Sequence, residues 1–77
     1  MIFKKGDKVI FHYKGRDWKG KIAYIKDFHH ILFWAKDFPG HDNYMRRNGA
    51  PQYATNEYYW VTGKMLIPIK GEFNKLE

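Results

Sequence analysis

The chain contains no cysteine and no serine, and its only threonines are Thr55 and Thr62. Without a thiol there is no disulfide and no thiolate metal site, a composition that suits a reducing compartment. With two threonines and no serine, a hydroxyl or thiol nucleophile seated beside a base is nearly excluded. No glycine-rich loop of the Walker type is present. No apolar run approaches the ~20 residues of a membrane span, and the N-terminal MIFKKGDKV lacks a signal-peptide core. His29, His30, His41 and Asp42 match no zinc-ligand spacing, and adjacent histidines on a strand point to opposite faces. These absences lead us to expect a protein that is not an enzyme, holds no cofactor or metal, stays off the membrane and resides in the cytoplasm, which for a viral protein means the host cytoplasm.

What the chain does have is positive charge, placed at one end. The 77 residues carry a formal net charge of +6. The first 26 hold eight lysines and arginines against Asp7 and Asp17, whereas residues 27–77 hold six basic and six acidic groups that cancel. A one-sided basic field favours an anionic partner. A domain of this size buries only about 60% of its unfolded surface, so a single core of large side chains has to stabilise it. Aromatic residues make up 19% of the chain and supply them.

Period-two alternation of apolar residues is the strand signal, and it recurs along the chain. Lys8 to Tyr13 places Val9, Phe11 and Tyr13 on one face, and Lys21 to Ile25 places Ile22 and Tyr24 opposite Ala23 and Ile25. Between them Lys14 to Gly20 reads as a charged turn with Gly15 and Gly20 as its flexible points. His30 to Lys36 reads as a third strand whose two faces both carry large apolar groups, Ile31 and Phe33 against Leu32 and Trp34. Glu57 to Thr62 and Met65 to Ile69 complete the set, with Pro68 suited to an edge. Met1 to Lys5 is expected to pack Ile2 and Phe3 onto the fold, and 70–77 reads as a polar tail that Phe73 and Leu76 could dock. Residues 37–56 hold Pro39-Gly40, Asn48-Gly49 and Pro51 without a clean period, which marks a long loop. Loops of that length are usually functional or disordered. Phe38, Tyr44, Met45 and Tyr53 argue that this one folds back on the strands, with a short helical turn near Asp42 to Arg46.

Five short strands joined by tight turns predict an all-β domain over residues 1–77, a small five-stranded barrel with one long loop. GDKV, the basic glycine-bearing turn and WKGKI resemble the opening of SH3-like barrels of the KOW and Tudor type, and WVTGKMLIPI resembles their close. FPGHD with the later YYWV is also similar to a pattern in small bacteriophage proteins. The first resemblance implies a barrel that binds nucleic acid, protein or peptide; the long loop departs from it.

Basic residues interleaved with aromatics are the strongest functional signal. Lys14, Arg16, Trp18, Lys19 and Lys21 cluster in the first hairpin, and Tyr44, Arg46, Arg47 and Tyr53 in the loop. Lysine and arginine engage phosphate, and aromatic faces stack on bases. Each has a bland counterpart: Trp18 as a packing anchor, Trp34 and Trp60 as core, the arginine pair as solvated charge. The reading that follows is a non-enzymatic binding module for a phosphate-bearing ligand, most simply nucleic acid. Two alternatives stand beside it. One is a phage-type inhibitor that binds an acidic host protein of defence or transcription. The other is an oligomer that sequesters a nucleotide second messenger. The two-faced third strand leads us to expect a homo-oligomer, a dimer or higher.

Overall fold

The computed structural model describes residues 3–40 and 45–69. The protein is all-β. Its strands are β1 (Lys8–Tyr13), β2 (Arg16–Asp27), β3 (His30–Trp34), β4 (Tyr58–Val61) and β5 (Leu66–Pro68), with a 3-10 turn at Gly63–Met65 before β5. All pairings are antiparallel, in the order β4-β3-β2-β1-β5. Ile2, the Asp42-to-Arg46 turn for most of its length, Tyr44, and the tail with Phe73 and Leu76 lie outside the described residues.

The first hairpin is tighter than the sequence leads one to expect. Its turn is only Lys14-Gly15, with φ of 47° and 78°, and Tyr13 pairs directly with Arg16. Positive φ at both central residues is what a two-residue turn matched to strand twist needs, and glycine takes it without steric cost. Arg16 to Gly20 therefore belong to a 12-residue strand rather than to a turn. Gly20 serves a different purpose from Gly15. A Cβ at position 20 would stand 2.0 Å from the Trp34 carbonyl oxygen and 2.9 Å from the Phe33 ring. Its bare backbone lets β3 close over β2.

Register shifts between Ile22 and Tyr24 and between Ile25 and Asp27 break the simple alternation. Such bulges turn consecutive residues to the same side. Ile22 and Ile25 consequently meet one core, while Ala23 and Tyr24 meet another. The larger core joins Val9, Phe11, Ile22, Ile31, Phe33, Ala35, Phe38, Val61 and Leu66, with Phe3, Tyr13, Trp18, Ile25 and Tyr59 at its margin. Val61 of β4 and Leu66 of β5 come from opposite ends of the sheet, so the sheet curls around this core. Phe38 plugs it, with ring centroids 5.0 to 6.0 Å from those of Tyr13, Trp18, Phe33, Tyr59 and Phe11.

The smaller core resolves the two-faced third strand. Leu32 is fully buried beneath Met45 and Ala54, with Trp34, Tyr58 and Trp60 around it. The second half of the long loop covers the outer face of β3 and β4. The apolar surface from which a homo-oligomer is expected is thus largely covered within one chain. Hydrogen bonds from Trp60, Lys26, Arg46 and Tyr53 hold this flap. Trp60 Nε1 donates to the Met45 carbonyl (3.3 Å) and Lys26 Nζ to the Asn48 carbonyl (3.0 Å). Arg46 donates through Nη1 to the Ala54 carbonyl (2.7 Å) and through Nη2 to the Gln52 carbonyl (2.8 Å). Charge-assisted bonds to a carbonyl that water partly reaches contribute on the order of 1 kcal/mol each at most. Arg46→Ala is accordingly expected to lower the unfolding free energy by about 1 to 2 kcal/mol. A urea titration followed by tryptophan fluorescence measures this loss.

The β2–β3 turn is closed by Asp27. Its carboxylate accepts from the His29 backbone N–H (2.8 Å) and lies 3.0 Å from His30 Nδ1. The bond from the His30 side chain holds the Asp27 carboxyl below its ordinary pKa. This contribution to the turn is present above the usual carboxylate range and is lost as pH falls through the lowered value. At the neighbouring turn, Phe28 lies against Gly63, whose N–H donates to the Phe28 carbonyl (2.8 Å).

A lysine and tryptophan face on the outer side of the sheet

The tight turn at Lys14-Gly15 sorts the basic residues of the hairpin by strand parity. Trp18 lies opposite Phe11 and shares its core-facing side. Its ring meets Phe38 edge-on at 5.3 Å, and the Arg16 guanidinium covers it at 3.9 Å. Trp18 is a packing anchor with an arginine stacked on it. Lys14 sits at the turn, with Nζ 5.5 Å from the Tyr13 ring centroid. Lys19 and Lys21 project from the opposite side of the sheet. The five hairpin residues singled out in the sequence thus occupy three different places.

On the outer side, cross-strand register builds an arrangement that the sequence reading did not contain. Lys8 pairs directly with Lys21, and Lys19 pairs with Ile10 one step along. Like charges opposite one another across a strand pair are destabilising, because their side chains stand about 5 Å apart at the Cβ. The His12–Asp17 and His30–Asp27 contacts do not involve these lysines. Among the described residues no acidic side chain is in bonding range of these three clustered lysines.

Trp34 lies opposite Lys21 on the third strand, and Lys21 Nζ stands 5.3 Å from its ring centroid. Lys8, Lys19, Gly20, Lys21, Trp34 and Ile69 line a shallow groove of about 250 Å³. Trp34 is fixed from behind. Its Nε1 donates to Glu57 Oε1 (3.2 Å), while Glu57 Oε2 accepts from the Asp37 backbone N–H (2.8 Å). Asp37 and Glu57 both hold positive φ, 63° and 83°, an uncommon conformation for residues with a Cβ. The Glu57 carboxylate bridges this strained pair to the indole.

A second groove of about 180 Å³ continues past Lys21. Lys5, Gly6, Lys21, Ile22, Ala23, Tyr53 and Tyr58 line it. The Tyr53 and Tyr58 rings are 5.9 Å apart, and Tyr58 and Trp34 are 6.5 Å apart. Lys21 is common to both grooves, so a line of lysines runs beside a line of aromatic rings on one face.

Tyr53, from the loop, joins Lys19 and Lys21 on this face. Arg46 is engaged with loop carbonyls, and Arg47 follows it in the same turn. Basic and aromatic clustering along the chain does not single out Lys5, Lys8, Trp34 or Tyr58. The signal for Lys8 is available in the chain: counting outward from a two-residue turn at Lys14-Gly15 sets it opposite Lys21. Among the described residues there is no group of three histidine, cysteine, aspartate or glutamate side chains placed to hold a metal ion. No helix of the described residues is long and apolar enough to cross a membrane. No protein-family model, curated protein or solved structure matches the chain.

Proposed function

We propose that the protein is a non-enzymatic binding module of the SH3-like kind, and that its outer face takes a phosphate-bearing ligand, most simply nucleic acid. The observation that carries this reading is the trio Lys8, Lys19 and Lys21 beside Trp34, with no acidic partner among the described residues. A directly opposed lysine pair costs stability, and an anion laid across it removes that cost. The five-stranded order, with a short turn leading from β4 into β5, supports the comparison with SH3-like barrels. Trp18 and Arg16 stack on each other at the core margin and form a secondary basic surface rather than the site.

A salt titration tests the reading. With Lys5, Lys8, Lys19 and Lys21 each neutralising about one phosphate, the affinity for a fluorescein-labelled 15-nucleotide thymidylate should fall with a log–log slope of about −2 to −3. Replacing one of these lysines with alanine should flatten the slope by about 0.7. A slope near zero, or one that Lys21→Ala leaves unchanged, would remove phosphate contact at this face as the mechanism.

A further inference from the structure

The geometry points to unpaired nucleobases as what the second groove recognises, with Tyr53 as the stacking platform; this rests on the phosphate-binding reading above and specifies its ligand as single-stranded nucleic acid. Tyr53 is 48% exposed, unusual for a side chain that is also anchored. Its hydroxyl donates to the Ala23 carbonyl of β2 at 3.1 Å, and its ring meets Tyr58 in an edge-on contact. An exposed aromatic free to turn would lose rotational freedom on stacking. One tied at its far end to the sheet has already lost it, so an open ring face is held ready.

Two further features set the class of ligand. Lys5 and Lys21 line the same groove as Tyr53. That is the arrangement a phosphodiester chain needs if it is to keep its phosphates on lysines while a base lies on the tyrosine. Base–aromatic stacking requires an exposed π-face, and a duplex hides those faces within its own stack. Loop residues Pro51 to Ala54 carry Tyr53 to the sheet, and the loop is pinned through Lys26, Arg46 and Trp60. The platform is built by the long loop folding back, which gives that loop a role beyond covering Leu32.

The test compares four probes by fluorescence anisotropy at one salt concentration: a 15-nucleotide thymidylate, a uridylate of the same length, an abasic deoxyribose-phosphate chain of the same length, and a blunt duplex. The thymidylate and uridylate are expected to bind roughly 10-fold or more tighter than the abasic chain, the factor that stacking of a single base supplies. The duplex should bind no better than the abasic chain. A difference between thymidylate and uridylate would assign the source as DNA or RNA. Tyr53→Leu should erase the preference for chains that carry bases, while Tyr53→Phe, which keeps the ring, should retain most of it. Equal binding of the abasic chain and the thymidylate, with salt dependence intact, overturns base stacking and leaves the phosphate reading standing. A preference for base-bearing chains that survives Tyr53→Leu unchanged likewise overturns the ring's role. Failure of all four probes to bind overturns both readings.

Discussion

Gly20→Ala is expected to destabilise the protein by roughly 3 kcal/mol, at the upper end of the usual range for overpacking. The added methyl would stand 2.0 Å from the Trp34 carbonyl oxygen, a distance no Cβ tolerates. A flexible side chain in the way could swing aside. A backbone carbonyl in a paired strand cannot move without giving up the Lys21–Trp34 step of the ladder. The Phe33 ring, 2.9 Å away and fully buried, blocks the other direction. At about 0.05 to 0.15 kcal/mol per residue, a domain of this length has only about 4 to 12 kcal/mol of stability in total. The expected fall in melting temperature is on the order of 10 to 25 °C. By contrast, a Cβ at Gly15 would meet nothing within 4 Å, so the strain there is confined to its φ of 78°. Calorimetry of Gly20→Ala checks this directly, and an unchanged transition would mean that β3 does not close on β2 as described.

The second large effect is on binding and carries the opposite sign for stability. Lys8→Glu places a carboxylate opposite Lys21 and turns a repulsive cross-strand pair into an attractive one. The fold should gain on the order of 0.2 to 1 kcal/mol. Combined with Lys19→Glu, the same change puts two negative charges into the lysine groove. Affinity for the thymidylate 15-mer should fall at least about 100-fold, since two lost charge-assisted contacts amount to roughly 3 kcal/mol or more. Residues that a fold would be more stable without are those most readily explained by binding. A structural role for Lys8 predicts the reverse, a lower unfolding midpoint with binding preserved. Equilibrium unfolding and anisotropy on the same preparations separate the two.

The strands were legible because alternation and β-branched or aromatic residues agree from Lys8 to Tyr13 and from Tyr58 to Val61. The ends of the first turn were not. Two glycines bracket Lys14 to Gly20, and composition alone cannot tell a glycine that reverses the chain from one that admits a neighbouring strand. Reading Gly20 as part of the turn grouped Arg16 and Trp18 with Lys19 and Lys21, although strand parity sends the two pairs to opposite sides. It also hid Lys8, whose place in the groove is a consequence of register. The bulge near Ala23 was equally invisible, because a run such as IAYI alternates on paper whichever residue is displaced. Apolar alternation by itself favours the core for Trp34. Its half-exposed position depends on where the loop stops covering β3, a long-range outcome with no local signature. No strand or helix period accounts for the arginine pair, yet Arg46 is bound to the carbonyls of its own loop.

The outer face of β1, β2 and β3 is the proposed binding site. Mapping the backbone amide shifts of the labelled protein as the thymidylate 15-mer is added tests it most directly. The predicted result is a contiguous set of perturbations at Lys8, Lys19, Gly20, Lys21 and Trp34, extending to Tyr53, with the buried amides of Phe11 and Ile31 unmoved. Perturbations confined to Lys14, Arg16 and Trp18, or a spectrum that does not change at saturating oligonucleotide, would contradict it.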